Sequence, residues 1–332
     1  MDNADAVAID PPPETAGART PFELWLDPAR PKAQLWRLLL GIVLVVVVWL
    51  LWTALVIAAF AVFNVLTGQV AVDDVLGLID DVVASSNAVH AMVLLSTFAG
   101  LWIGVWLAMR LLDGGQKLAT LFSPERRIRW REFGVGMAIV SGYLALSTLL
   151  SVLTGNGPRW VGTDTGAWLM AAAPLAALIF IQSSGEEVFF RGYLVQHLAP
   201  RFRHPLIWGL LPAFLFGMGH YAPDYELSYG LYYVAATTLI GLTATALIWR
   251  TGGLSAAMGL HVANNLVAFL IAGPDDTASG TQLWVWSTSD MQESSGFDLL
   301  TLVLLLGYVL SPWAPLAGRP LWGRRNETRA AP

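Results

Sequence analysis

An all-α fold, a polytopic transmembrane helical bundle of about eight spans with both termini in the cytoplasm, follows from three features. These are the apolar content, the length of the apolar runs, and the alternation of basic and acidic loops. Of 332 residues, 55% are hydrophobic and 13% charged, against roughly 25% charged in an ordinary soluble domain. Runs of about 18 apolar residues or more, each long enough to cross a ~30 Å hydrocarbon core as a helix, consume most of the chain. Strands are excluded because the runs are continuous and do not alternate with period two.

The spans fall near residues 35 to 64, 89 to 112, 133 to 154, 167 to 184, 206 to 222, 229 to 250, 254 to 272 and 297 to 317. The first is about twice the length of a signal-peptide core and starts too far from Met1, so it is read as a permanent anchor. Before it, a Pro-rich polar stretch, "DPPPETAGART", lacks the apolar residues of a packed core. Residues 1–33 are therefore expected to be a disordered cytoplasmic tail, 34–318 a transmembrane domain, and 319–332 a second cytoplasmic tail.

Every second loop is basic. Arg30, Lys32 and Arg37 precede span one, and Arg110, Lys117, Arg126, Arg127, Arg129 and Arg131 lie between spans two and three. Arg191, Arg201 and Arg203 follow span four, Arg250 follows span six, and Arg319, Arg324, Arg325 and Arg329 follow span eight. The intervening loops carry the acids, as in "VDDVLGLIDD" and "GPDDTASG". Retention of Lys and Arg on the cytoplasmic side places both termini there. Short tails without sorting signals point to a bacterial plasma (inner) membrane. The bilayer is the first partner implied; no basic stripe interleaved with aromatics suggests nucleic acid. With no cysteine, disulfides, thiolate metal sites and a cysteine nucleophile are excluded. An interfacial belt accounts for most of the 15 Trp, including those of "LWVW" before span eight.

Three polar groups interrupt the apolar pattern from span four onward. In "GEEVFFRGYL", Glu187 and Arg191 are four residues apart in the favourable acid-first order, while Glu186 points about 100° away around the helix. One acid is then free for chemistry while the other pairs with the base. In "FLFGMGHY", Phe216 and His220 share a face, and in "GLHVANN" so do His261 and Asn265, with Asn264 close by. Each group has a purely structural explanation: an ion-paired helix end, a core histidine, or interhelical hydrogen bonding. Together they form an inventory suited to hydrolysis. A carboxylate takes a proton from water, one histidine positions that water, and a second histidine with an amide stabilises an oxyanion. Glu186, His220 and His261 equally suit a divalent metal such as zinc, so metal and metal-free versions both stand. No H-E-x-x-H or G-x-G-D motif is present, and Ser255 has no nucleophile-elbow context.

The order E-E-x-x-x-R, F-x-x-x-H, H-x-x-x-N, each on its own apolar helix, resembles the CPBP family. These are the CAAX-processing and bacteriocin-processing intramembrane endopeptidases, also called Abi, and the pattern is similar to that of the type II CAAX prenyl endopeptidases. It covers roughly residues 167 to 272, the expected protease core. The resemblance implies that Glu186 is the general base, assisted by His220, with His261 and Asn265 forming the oxyanion site and Arg191 holding Glu187. On a metal-centred view, His220 and His261 are ligands. The substrate it implies is a membrane-associated peptide or protein, lipidated or bacteriocin-like. The alternatives are a non-catalytic scaffold or bacteriocin-immunity protein that retains the fold and, more weakly, a small-solute transporter. As drawn, the spans leave His220 about 10 to 15 Å out of depth with Glu186. Convergence requires span four to continue as one helix to about residue 199, with tilt in span five.

Overall fold

The computed structural model describes residues 19–84, 87–221, 223, 226–274, 281–316 and 318. The first described element is a short helix, α1 (Pro21–Leu26), within the stretch expected to be a disordered tail. Its start is a capping box. The Glu23 amide donates to Thr20 Oγ1 at 3.2 Å and the Thr20 amide to Glu23 Oε2 at 2.7 Å, with Pro21 in the first turn. Trp25 is 1% exposed and donates its indole N–H to the Leu121 carbonyl at 2.8 Å. One buried tryptophan is enough to dock this segment, which composition alone had assigned to solvent. Residues 1–18 and 319–332 lie outside the described residues.

The membrane helices follow. They are α2 (Leu35–Leu66), the pair α4 (Ala88–Thr97) and α5 (Ala99–Leu111), α6 (Trp130–Leu153), and a continuous helix Thr165–Leu198 formed by α7 (Thr165–Glu186), a π-helical stretch Glu187–Leu194 and α8 (Val195–Leu198). After these come α9 (Leu211–Met218, entered through a π turn at Leu206–Leu210), α10 (Leu227–Thr251), α11 (Ser255–Leu266, continuing as π to Ile271) and α12 (Thr288–Leu310). Among the described residues, five helices are long and apolar enough to cross a membrane: 35–66, 88–111, 130–153, 165–198 and 227–251. The remaining three expected spans are shorter apolar helices at 206–218, 255–271 and 296–310. This is an integral membrane helical bundle. Span eight starts earlier than expected, at Thr288, and span five ends earlier, at Met218. An amphipathic helix, α3 (Val75–Val83), lies in the first acidic loop and buries Leu78 and Val82. Short strands β1 (Arg159–Trp160), β2 (Ala272–Pro274) and β3 (Trp284–Trp286) pair in the order β1-β3-β2, so "LWVW" is partly strand.

Arginines cap the helix ends on one face of the bundle. Arg37, at the start of α2, donates to the Leu112 carbonyl at the end of α5. Arg129, at the start of α6, reaches Thr251 O at the end of α10 at 2.8 Å. Arg250 reaches Val309 O and Ser311 O at the end of α12, both at 2.7 Å. Each guanidinium thus satisfies carbonyls that a helix C-terminus leaves open, at its negative dipole end. The basic loop pattern of the sequence coincides with this face. Tryptophans also do more than mark an interface: Trp52, Trp102 and Trp168 donate to Ser96 O, Ile181 O and Leu270 O, joining helix to helix.

Backbone proximity fixes the crossing of α6 and α11. A Cβ on Gly136 would lie 1.9 Å from Ala256 O, and one on Gly259 2.0 Å from Phe133 O. Small residues let the two backbones touch, the usual basis of tight helix association in lipid. That contact positions the helix carrying His261.

Candidate active site

The long helix Thr165–Leu198 supplies Gln182, Ser183, Glu186, Glu187 and Arg191, all buried, and α11 supplies His261 and Asn265. Span four therefore continues as expected, to Leu198, and carries the glutamates into the bundle. The π stretch begins at Glu187, immediately after Glu186, and so changes the helical phase between the two acids. Such π segments recur at functional sites.

Arg191 Nη1 donates to Glu187 Oε1 at 3.0 Å, with side chains 0% and 1% exposed. Phe216 covers the guanidinium, its ring centroid 4.1 Å from Cζ. Gly241 leaves room on the other side, because a Cβ there would meet Nη2 at 2.5 Å. Pairing with Arg191 is only part of the work of Glu187. Its Oε1 also lies 2.8 Å from His261 Nδ1, while His261 Nε2 lies 3.4 Å from Glu186 Oε2. Glu187 thus holds Arg191, as expected, and also meets His261, so that one imidazole bridges both carboxylates. A neutral ring has one N–H and can donate to only one of them, so donation to both carboxylates requires a hydrogen on each ring nitrogen.

Behind Glu186 stands a relay of amides. Gln182 Nε2 donates to Glu186 Oε2 at 2.8 Å, and Asn265 Nδ2 donates to Gln182 Oε1 at 2.9 Å and Ser183 Oγ at 3.1 Å. Asn264 Nδ2 donates to Asn265 Oδ1 at 3.1 Å. Both N–H bonds of Asn265 are thus engaged within the protein, where the expectation had one directed at an oxyanion. Gln182 and Ser183 were not singled out from sequence. The four-residue spacing of Gln182 and Glu186 is the signal that could have found the first.

His220 stands apart from the acids. Its Nδ1 donates to Phe216 O at 2.8 Å and its ring lies 4.6 Å from that of Phe216, which meets His261 edge-on at 5.5 Å. The motif phenylalanine, not a hydrogen bond, joins the two histidines. Among the described residues, no group of three or more His, Cys, Asp or Glu side chains is arranged to hold a metal ion. The suggested ligand set Glu186, His220 and His261 is not among such groups.

Residues 167–267, which hold every one of these side chains, match the model of a family described as type II CAAX prenyl endopeptidase Rce1-like. The central segment thus resembles that family. Outside that segment stand α2 to α6, α12 and the capping arginines Arg37 and Arg129, while Arg250 lies within it. A curated relative, the uncharacterized protein YyaK of Bacillus subtilis (strain 168), is 30% identical over 173 residues, 49% of this chain and 54% of its own length. The chain thus spans about half the length of the curated relative it matches. No solved structure matches it. The Rce1-like segment agrees with the resemblance carried by the three motifs, since it begins near the start of α7 and ends just after Asn265.

Proposed function

We propose that the chain is an intramembrane endopeptidase that hydrolyses a peptide bond of a membrane-associated substrate, with Glu186 as general base and His261 as oxyanion donor. The observation that carries this reading is the imidazole held between two buried carboxylates inside an Rce1-like segment. With Glu186 ionised and His261 doubly protonated, the pair offers one base and one N–H donor to the same small volume. Water between them loses a proton to Glu186 as its oxygen adds to the substrate carbonyl carbon. The carbonyl oxygen gains charge and accepts from Nε2–H. Collapse breaks the C–N bond, and the proton held by Glu186 passes to the departing amine. Glu187, anchored by Arg191, stabilises the imidazolium through Nδ1–H, the role of a buried acid behind a catalytic histidine. Asn265 acts through Gln182 as a positioning residue. His220, one aromatic ring away, bounds the site on the α9 side. No step is routed through a metal.

The test is a mass-spectrometric comparison of new peptide termini in membranes carrying wild type or Glu186→Ala at equal, folded abundance. Termini present only with wild type are expected, and they would name the substrate. Indistinguishable profiles, with the variant still supporting any cellular phenotype, would replace this reading with a binding scaffold or immunity protein.

A further inference from the structure

A cavity of about 260 Å³ lies between α6, α10, α11 and α12, and an adjoining one of about 390 Å³ shares Ser151, Trp286 and Met291 with it. Chain direction fixes where they are. The cavities use the C-terminal halves of α6 and α11 and the N-terminal half of α12. The arginine caps hold the opposite ends of α6 and α12, and Ser255 at the start of α11 accepts from the Arg129 amide at 2.9 Å. The space therefore opens away from the arginine-capped face. Burial along α11 agrees, since Ser255 to Ala263 are all buried while Asn264 and Asn265 are half-buried. On the capped side Trp25, Tyr193, Gln196 and His197 are buried.

The inner cavity is polar for a lipid-embedded bundle. Ser147, Thr148 and Ser151 line it from α6, and Tyr232 donates to Asp298 at 3.2 Å within it. None of the described residues lining it is cationic. Its wall at Asn264 is the outer end of the amide relay, three hydrogen bonds of 3.1, 2.9 and 2.8 Å from Glu186. The adjoining cavity is somewhat more apolar, walled by Leu150, Leu153 and Phe297 beside Ser151, Thr154 and Asn156. An ionisable residue facing a cavity inside a membrane bundle marks a functional surface, and a carboxylate beside hydroxyls selects a cation.

We propose that these two cavities are a docking subsite for the substrate peptide beside the scissile bond. Asp298 receives a primary amine or guanidinium, and the outer cavity receives neighbouring apolar side chains. This rests on the endopeptidase reading of the same site and adds a specificity to it: a cationic residue flanked by aliphatic ones. It also makes Asn264 the link by which occupancy is felt at Glu186.

The experiment uses the full chain in lipid nanodiscs and a synthetic leucine-rich peptide carrying one lysine and a benzophenone label. Photolabelling is expected on α6 and α12 around Ser147 and Met291, in wild type and equally in Glu186→Gln. Asp298→Asn, Ser147→Trp, or replacement of the peptide lysine by norleucine should each weaken apparent affinity about tenfold, the equivalent of one lost charge-assisted contact. Labelling elsewhere, or indifference to both Asp298→Asn and the norleucine peptide, overturns the proposal. The norleucine comparison needs no variant, so misfolding of Ser147→Trp leaves the answer intact. Labelling of these residues without any wild-type cleavage activity would sink the protease reading and keep the subsite. Cleavage with the label on other helices would do the reverse.

Discussion

His261 Nδ1 sits 2.8 Å from an acid that already holds an arginine, while its Nε2 sits 3.4 Å from an acid held only by an amide. This asymmetry assigns different outcomes to isosteric changes. Glu186→Gln removes the only carboxylate placed to take a proton from water beside Nε2, and cleavage should fall about a hundredfold to ten-thousandfold with folding unchanged. Glu187→Gln should cost activity and stability together, because Arg191 is left buried without a full counter-charge. Arg191→Ala, which leaves Glu187 unpaired, should destabilise by about 3–5 kcal/mol in a reversible unfolding assay. If Arg191→Ala unfolds like wild type, the ion pair is not structural. On the metal-free mechanism proposed above, wild-type cleavage should survive exhaustive chelation. Loss on chelation with recovery on adding zinc would overturn the metal-free mechanism.

At the scale of elements, the site depends on where α11 sits, and Gly259 and Gly136 set that position by backbone contact with α6. Gly259→Ala puts a methyl group into Phe133 O, so α11 must move away or tilt. The expected loss is about 1–3 kcal/mol, accompanied by a fall in kcat larger than the change in KM, measured on the purified variant. An Ala at Gly134, where nothing lies within 4 Å, is the control. Much of this architecture is legible in the sequence. Hydropathy marks the helices, and four-residue spacing brings together Glu187 with Arg191 and Phe216 with His220. Other parts are not. The π stretches after Glu186 and Asn265 leave no compositional trace, and they decide which way the acids and the amide face. Helix α1 was legible in its T-x-x-E box after all, but Pro-rich surroundings outweigh four residues when composition is averaged. His220 shows the limit of motif reasoning: spacing finds the face it shares with Phe216, and only packing reveals that the same ring also meets His261.

For the whole molecule, the arginine caps and the loop charges make one joint prediction about sidedness. Arg37, Arg129 and Arg250 satisfy helix carbonyls where they stand, a packing role that holds whichever way the bundle is oriented. Pro124 and Arg201 lie in basic loops and are exposed, whereas Gln69 and Asn156 lie beyond the opposite helix ends. The chain has no cysteine, so single substitutions such as Arg201→Cys and Gln69→Cys report without background. In intact bacterial cells, a membrane-impermeant maleimide should label the cysteines at 69 and 156 and spare those at 124 and 201, with the pattern reversed in inside-out vesicles. That result would put the arginine face in the cytoplasm and open the proposed peptide subsite to the outer half of the bilayer. The opposite pattern would invert the bundle, reduce the basic loops to helix caps, and turn the same subsite toward cytoplasmic peptides without altering its chemistry.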